Sequence, residues 1–139
     1  MAGYGVRKAE SLDAMLPQCD FVSVNCSGGE GTRHLINART LALMKPGAYL
    51  INTARGTIVD EAALLAALKE RRIAGAATDV FDPEPPRPGN PLLHMENVIV
   101  TPHLGAMTQE SLYNMATMVA RGVLDVLEGR KPEYLVPAG

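Results

Sequence analysis

Cysteine is scarce in these 139 residues: only Cys19 and Cys26 occur, and they do not form a C-x-x-C pair. That argues against a disulfide framework and a thiolate metal site, and the two read as reduced core thiols of a cytoplasmic protein. Runs of Lys and Arg are absent and the formal net charge is −2, so nucleic acid and anionic lipid find nothing to hold. No apolar stretch approaches the ~18 residues that a membrane span needs. The opening Met-Ala-Gly-Tyr-Gly has no charged segment leading into an apolar one, so no secretory signal is expected. Internal repeats and low-complexity linkers are missing too. What remains is core-forming material, 47% hydrophobic and 20% charged. It suffices for one domain that buries roughly two thirds of its unfolded surface, and it is not the composition of a disordered chain.

Strand-like and helix-like patterns alternate strictly along this chain. Residues 20–26, 48–53, 76–80 and 97–101 are short apolar runs that read as strands. A helix is expected over 38–45, stopped by Pro46-Gly47. Asp60 caps a second helix, with Leu64, Leu65 and Leu68 on one face and Gly75 at its exit. A long third helix runs from near Thr108 to Gly129, with Leu112, Met115, Val119, Val123, Val126 and Leu127 at steps of three and four. Between the third and fourth strands, DPEPPRPGNP (82–91) carries too many prolines for regular structure. Strands separated by single helices imply right-handed crossovers and a parallel, doubly wound α/β sheet of about four core strands with helices on both faces.

Three polar residues sit just past apolar runs: Arg55 in AYLINTARG, Glu84 in GAATDVFDPEP and His103 in NVIVTPHLG. In a parallel sheet, groups beyond the carboxyl ends of strands gather at one edge, where ligands bind. A planar guanidinium grips a carboxylate and its adjacent carbonyl in a way that Lys does not reproduce. Gly56 permits a turn there and lets a ligand approach closely. A carboxylate beside an imidazole favours the cationic ring, so Glu84 would keep a proton on His103. Taken singly, each residue has a structural alternative: Arg55 a surface arginine capping a helix, His103 a structural histidine, Glu84 a solvated loop acid. Together they make an anion clamp beside a proton donor, which is the chemistry of carbonyl reduction. Asp79 lies amid apolar neighbours, so it needs hydrogen-bond partners, and a ligand amide would serve. The loop Ser27-Gly28-Gly29-Glu30-Gly31-Thr32 is read either as an anion-binding nest of backbone N–H groups or as a flexible turn, with Glu30 opposing a phosphate. His34 and His94 read as surface or loop residues.

INTARGTIVDEAALLAAL, GAATDVFDPEP and VIVTPHLGAMTQES, in that order, closely resemble the cofactor-domain motifs of the D-isomer-specific 2-hydroxyacid dehydrogenases. The resemblance runs from about Gly5 to Gly129. It implies a partial Rossmann-type NAD(P)-binding domain over 1–129, followed by a tail over 130–139 that would lead back to a substrate lobe. It implies that Arg55 binds the carboxylate and carbonyl of a small 2-keto acid. His103 would protonate the carbonyl oxygen as hydride arrives from NADH or NADPH, and Glu84 would hold and charge that histidine. Asp79, with the backbone around Thr53 and Ala54, would hold the nicotinamide carboxamide. Cys26 and Ser27 would lie by the adenosine half of the cofactor, with Thr32 nearby. Glu84 stands where formate dehydrogenases of the same superfamily typically carry Gln, which favours a keto-acid reductase of the glyoxylate or hydroxypyruvate type.

Two departures from the family pattern bear on function. Ser27-Gly28-Gly29-Glu30 replaces a Pro-Leu-Thr-Pro-like turn. The family's G-x-G-x-x-G is not found; Gly3-Tyr4-Gly5 is followed by Val6-Arg7-Lys8. Residues 5–9 match the family's third strand, so the chain reads as a truncated domain that opens after the pyrophosphate site. The strand at 20–26 is then expected to present an unpaired apolar edge and to favour a homodimer. Two other readings are an NADH-sensing corepressor-like binding module and an inactive remnant.

Overall fold

The computed structural model describes residues 5–135. They fall into two compact units, one ending at His103 and the other starting at Leu104.

The first unit is built on four short parallel strands, β1 (Phe21–Val24), β2 (Tyr49–Asn52), β3 (Gly75–Thr78) and β4 (Val98–Val100), hydrogen-bonded in sequence order. Each is shorter than the apolar run that announced it, because only residues with a partner on the neighbouring strand join the ladder. Pairing is in step: Val24 lies opposite Asn52, Asn52 opposite Thr78, and Thr78 opposite Val100. One face of this ladder presents Val22, Val24, Leu50 and Ala76 to the core. The short helix α2 (Ala38–Leu41) and the longer α3 (Glu61–Lys69) contribute Leu41, Leu64, Ala67 and Leu68 to the same cluster, and α1 (Leu12–Met15) packs half-buried Leu12 and Met15 against it. This is a parallel α/β sheet of Rossmann type, as the alternation predicts. Residues 5–9, expected as a strand, lie exposed and unpaired, for no described strand runs alongside them. The other sheet face carries Phe21 and Tyr49, stacked with ring centroids 5.6 Å apart and both exposed, together with exposed Ile99.

Local chemistry sets the helix starts. The Asn37 side chain accepts from the Arg39 and Thr40 N–H groups, and the Thr40 hydroxyl accepts from Asn37 N–H, a reciprocal capping box. Asp60 accepts from Ala63 N–H at 3.1 Å and opens α3. Within α3 the buried residues are Leu64, Ala67 and Leu68, spaced as one helical face, while Leu65 is only half-buried.

In the second unit α4 (Gln109–Leu127) is capped by Thr108, whose hydroxyl accepts from Ser111 N–H at 3.1 Å. Its bounds agree with the expected span. Beyond its end Arg130 reaches back to Asp125 and Glu128, and these two carboxylates raise its pKa above the ordinary guanidinium value.

The Asp60→Ala variant should lose about 1 kcal/mol, the usual worth of a side-chain N-cap. Urea unfolding would show this as a lower midpoint with an unchanged slope; an unchanged midpoint would mean that Asp60 does not set the start of α3.

Candidate active site at the carboxyl edge of the sheet

Because the strands are parallel and in step, the residues that follow them emerge at one edge. Thr53 follows β2, Asp79 follows β3 and Thr101 follows β4 at the same level of the ladder. The functional groups cluster in two hollows at this edge.

The first hollow, about 630 Å³, is polar and lies beyond β1 and β2, with Cys26, Ser27, Gly28, Thr53, Ala54 and Arg55 among its walls. The turn at its base is shaped from within the sheet. Asn52 is almost fully buried; its side-chain amide donates to the Arg55 carbonyl at 3.0 Å and its side-chain oxygen accepts from Ala54 N–H at 3.1 Å. Both bonds close the Thr53-Ala54-Arg55 turn onto the strand that precedes it. Arg55 Nη1 donates to the Ala54 carbonyl at 2.7 Å. Gly28 packs on the Arg55 stem so closely that a β-carbon there would sit 2.9 Å from Arg55 Cγ. Sequence reasoning missed both Asn52 and Gly28. The signal for Asn52 was present, an amide closing an otherwise apolar strand.

The loop after β1 is a self-bonded turn. The Thr32 hydroxyl donates to the Ser27 carbonyl at 2.8 Å and lies 3.2 Å from the Gly29 carbonyl. Thr32 therefore closes the loop, while Cys26 and Ser27 face the hollow.

The second hollow, about 390 Å³ and mostly apolar, lies beyond β3 and β4 and is lined by Asp79, Phe81, Glu84, Thr101, Pro102 and His103 among others. Here Glu84 Oε1 and His103 Nδ1 are 2.6 Å apart. His103 has φ +56°, a left-handed conformation that side chains other than glycine adopt at a cost, and such positions cluster at functional sites. With Nδ1 held by Glu84, Nε2 is the ring atom left for a ligand. The carboxylate of Asp79, buried, accepts from the Thr101 hydroxyl at 2.5 Å. The register thus supplies Asp79 with a protein hydroxyl as one hydrogen-bond partner.

The expectation that Gly56 lets a ligand approach closely is revised. What approaches its open side is the chain's own backbone. A β-carbon at Gly56 would lie 2.0 Å from the Phe81 carbonyl group. The turn that carries Arg55 and the loop that carries Glu84 are thereby pressed together, backbone on backbone. The structure thus unites Glu84, His103 and Asp79 in one hollow and puts Arg55, Thr53, Ala54, Cys26 and Ser27 in the other. Among the described residues no cluster of three or more His, Cys, Asp or Glu is arranged to hold a metal ion.

A Rossmann-type parallel sheet with hollows beyond its carboxyl edge has the architecture of a nucleotide-binding domain. Residues 1–105 match the family model described as D-isomer specific 2-hydroxyacid dehydrogenase, NAD binding domain. The chain belongs to that family, whose model describes an NAD-binding domain. A glyoxylate reductase of Thermofilum pendens is 48% identical over 125 residues, covering 90% of this chain and 37% of that protein. Among solved structures, a D-lactate dehydrogenase from Treponema pallidum superposes with TM-score 0.84 at 35% identity, over 92% of this chain and 43% of that one. A D-isomer specific 2-hydroxyacid dehydrogenase of Xanthobacter autotrophicus Py2, in complex with NADPH and MES, gives TM-score 0.76 at 39% identity, over 92% and 52%. The chain spans well under half the length of the curated relatives it matches, 37% and 25% of the first two.

Substituting Gly56 by Ala should be among the most damaging single changes in the first unit, at or above the 1–3 kcal/mol typical of overpacking, because backbone rather than a movable side chain blocks the methyl. Thermal melting reads this; a variant as stable as the wild type would disprove the close approach.

Proposed function

We propose that this chain is part of an enzyme that reduces a small 2-keto acid, of the glyoxylate or hydroxypyruvate type, to the D-2-hydroxy acid. The observation that carries the reading is the 2.6 Å contact between Glu84 and His103 Nδ1, which leaves Nε2 directed to chemistry. A bound nicotinamide would supply the hydride that adds to the carbonyl carbon. The chain's own residues do the rest. Arg55 holds the substrate carboxylate and orients the carbonyl. His103 gives its Nε2 proton to the carbonyl oxygen as negative charge develops there, and Glu84 stabilises the cationic ring before transfer. Asp79, with the backbone around Thr53 and Ala54, holds the carboxamide end of the cofactor. Cys26 and Ser27 lie on the adenosine side, with Thr32 closing the loop that presents them. The mostly apolar hollow around Asp79, Phe81 and His103 fits a flat nicotinamide ring, and the polar hollow fits hydrophilic groups, with Cys26 and Ser27 toward the cofactor and Arg55 toward the substrate carboxylate. The relatives named for glyoxylate and hydroxypyruvate reduction favour that substrate class. Two free thiols accord with a cytoplasmic setting, and among the described residues no helix is long and apolar enough to cross a membrane.

By itself the 139-residue chain is expected to be inactive. Its sequence includes no G-x-G-x-x-G loop to anchor the pyrophosphate at a helix N-terminus, and the described residues form no substrate lobe that would exclude water. NADH oxidation with glyoxylate or hydroxypyruvate should be undetectable, and turnover that His103→Asn abolishes would overturn this. In a full-length enzyme carrying these residues, His103→Asn should lower kcat by ~10² to 10⁴. Arg55→Ala should be at least as damaging to kcat/KM.

Self-association is the second expectation. β1 is an outer strand of the described sheet, and it bears exposed Phe21. Such an edge invites pairing with a second copy. Light scattering at tens of micromolar should find dimers; a strict monomer with cooperative melting would refute this.

A further inference from the structure

We propose that Glu61, the first residue of α3, is a positioning residue for His103, acting through the loop that carries Glu84. The inference rests on the reading of Glu84 and His103 as the proton-donating pair.

Residues 82–90 run between buried Phe81 and buried Leu92. They form no helix or strand, and Glu84 stands near the start of that stretch. Its two ends are gathered by one carboxylate. Glu61 Oε1 accepts from Asp82 N–H at 2.9 Å, and Glu61 Oε2 accepts from the Asn90 side-chain amide at 2.8 Å. These partners lie 21 and 29 residues further along the chain, so this is a tertiary clamp and not a local turn. Asn90 is itself committed, since its side-chain oxygen accepts from Leu92 N–H at 3.0 Å. Its amide is thereby aimed at Glu61 and cannot flip without losing that bond. The position of Glu61 is fixed as well, by the Asp60 cap one residue earlier, and an anion is favoured in the first turn of a helix.

The mechanical consequence follows from the loop's composition. Prolines at 83, 85 and 86 give the backbone around Glu84 little freedom of its own, so its carboxylate moves with the loop's ends. Gly56 sets how close the loop lies to the Arg55 turn, and Glu61 sets where the two ends sit. Half-exposed Glu84 and His103 have no enclosing shell to hold them in register otherwise. A carboxylate with two acceptor oxygens spanning a backbone N–H and a side-chain amide is a requirement that shorter or neutral residues meet only in part.

The test reads the pair directly and does not need turnover. A histidine ring whose Nδ1–H donates to a carboxylate is held in the Nδ1-protonated tautomer when neutral. The ¹⁵N shifts of His103, measured in this 139-residue chain with the imidazole neutral, report that fraction. Glu84→Ala defines the unclamped value. Glu61→Ala should move the fraction at least halfway to that value while backbone amide spectra show the sheet intact. Glu61→Gln should fall between, because it keeps an oxygen for Asp82 N–H but sets an amide against the amide of Asn90. Adding Glu61→Ala to Glu84→Ala should change nothing further. A destabilised but merely structural residue would lower the melting temperature and leave the tautomer alone.

If Glu84→Ala shifts the tautomer and neither Glu61 variant does, the clamp is refuted while the catalytic pair stands. Should Glu61→Ala fail to fold, isosteric Glu61→Gln decides by the same shift. A wild-type ring with no Nδ1 preference would remove the pair and the clamp together. Full activity of a His103→Asn enzyme would refute the catalytic reading and leave the clamp's tautomer result untouched.

Discussion

The whole arrangement depends on four strands pairing parallel and in step. With Val24, Asn52, Thr78 and Val100 in one row, the next residues of the last three strands are Thr53, Asp79 and Thr101, and each emerges at the same height. A slip of one residue on any strand would turn its side chains to the opposite face and bury or expose the wrong set. The Asp79–Thr101 bond, the Asn52 cap on the Arg55 turn and the meeting of Glu84 with His103 all presuppose that row. The geometry of the candidate site is an extension of sheet register.

Above the row, the loops are held by polar side chains that do no chemistry. Asn52 closes one turn from inside the strand, Thr32 closes another through the Ser27 carbonyl, and Glu61 gathers both ends of the proline-rich segment. Glycines supply the close approaches: Gly28 on the stem of Arg55, Gly56 on the backbone of Phe81. Such a design leaves the reacting groups accessible while removing the freedom of the backbone beneath them. His103 carries the cost in its left-handed conformation, which the surrounding chain holds in place.

Much of this was legible in residue order. Apolar runs alternating with helical periodicity, Asp60 as a cap, and proline density over 82–91 led to most of the elements seen, although the helix expected over 38–45 is regular only over Ala38–Leu41. The pairing of Glu84 with His103 was legible as well, since each followed a separate strand in a motif of recognisable order. Less legible were the residues whose partners are far away in sequence. Nothing near Glu61 announces a contact 29 residues distant, and nothing near Gly56 tells that a peptide group rather than a ligand fills its open side. The strand expected over residues 5–9 failed for a related reason. Strand character in a sequence is only a capacity, and without a neighbour to supply hydrogen-bond partners those residues remain exposed.

What the sequence by itself determined is therefore the chemistry and its order along the chain: a cation, a carboxylate and an imidazole, each placed after a strand, in a family that carries NAD or NADP. Local rules suffice for this, because strand periodicity, capping and proline content act over a few residues. Only the tertiary structure decided which groups meet. It joined Glu84 and Asp79 to His103 in one hollow, set Arg55 in another, and filled the space beside Gly56 with backbone. Those outcomes depend on register and on contacts between distant segments, where tenths of an ångström separate a hydrogen bond from a clash.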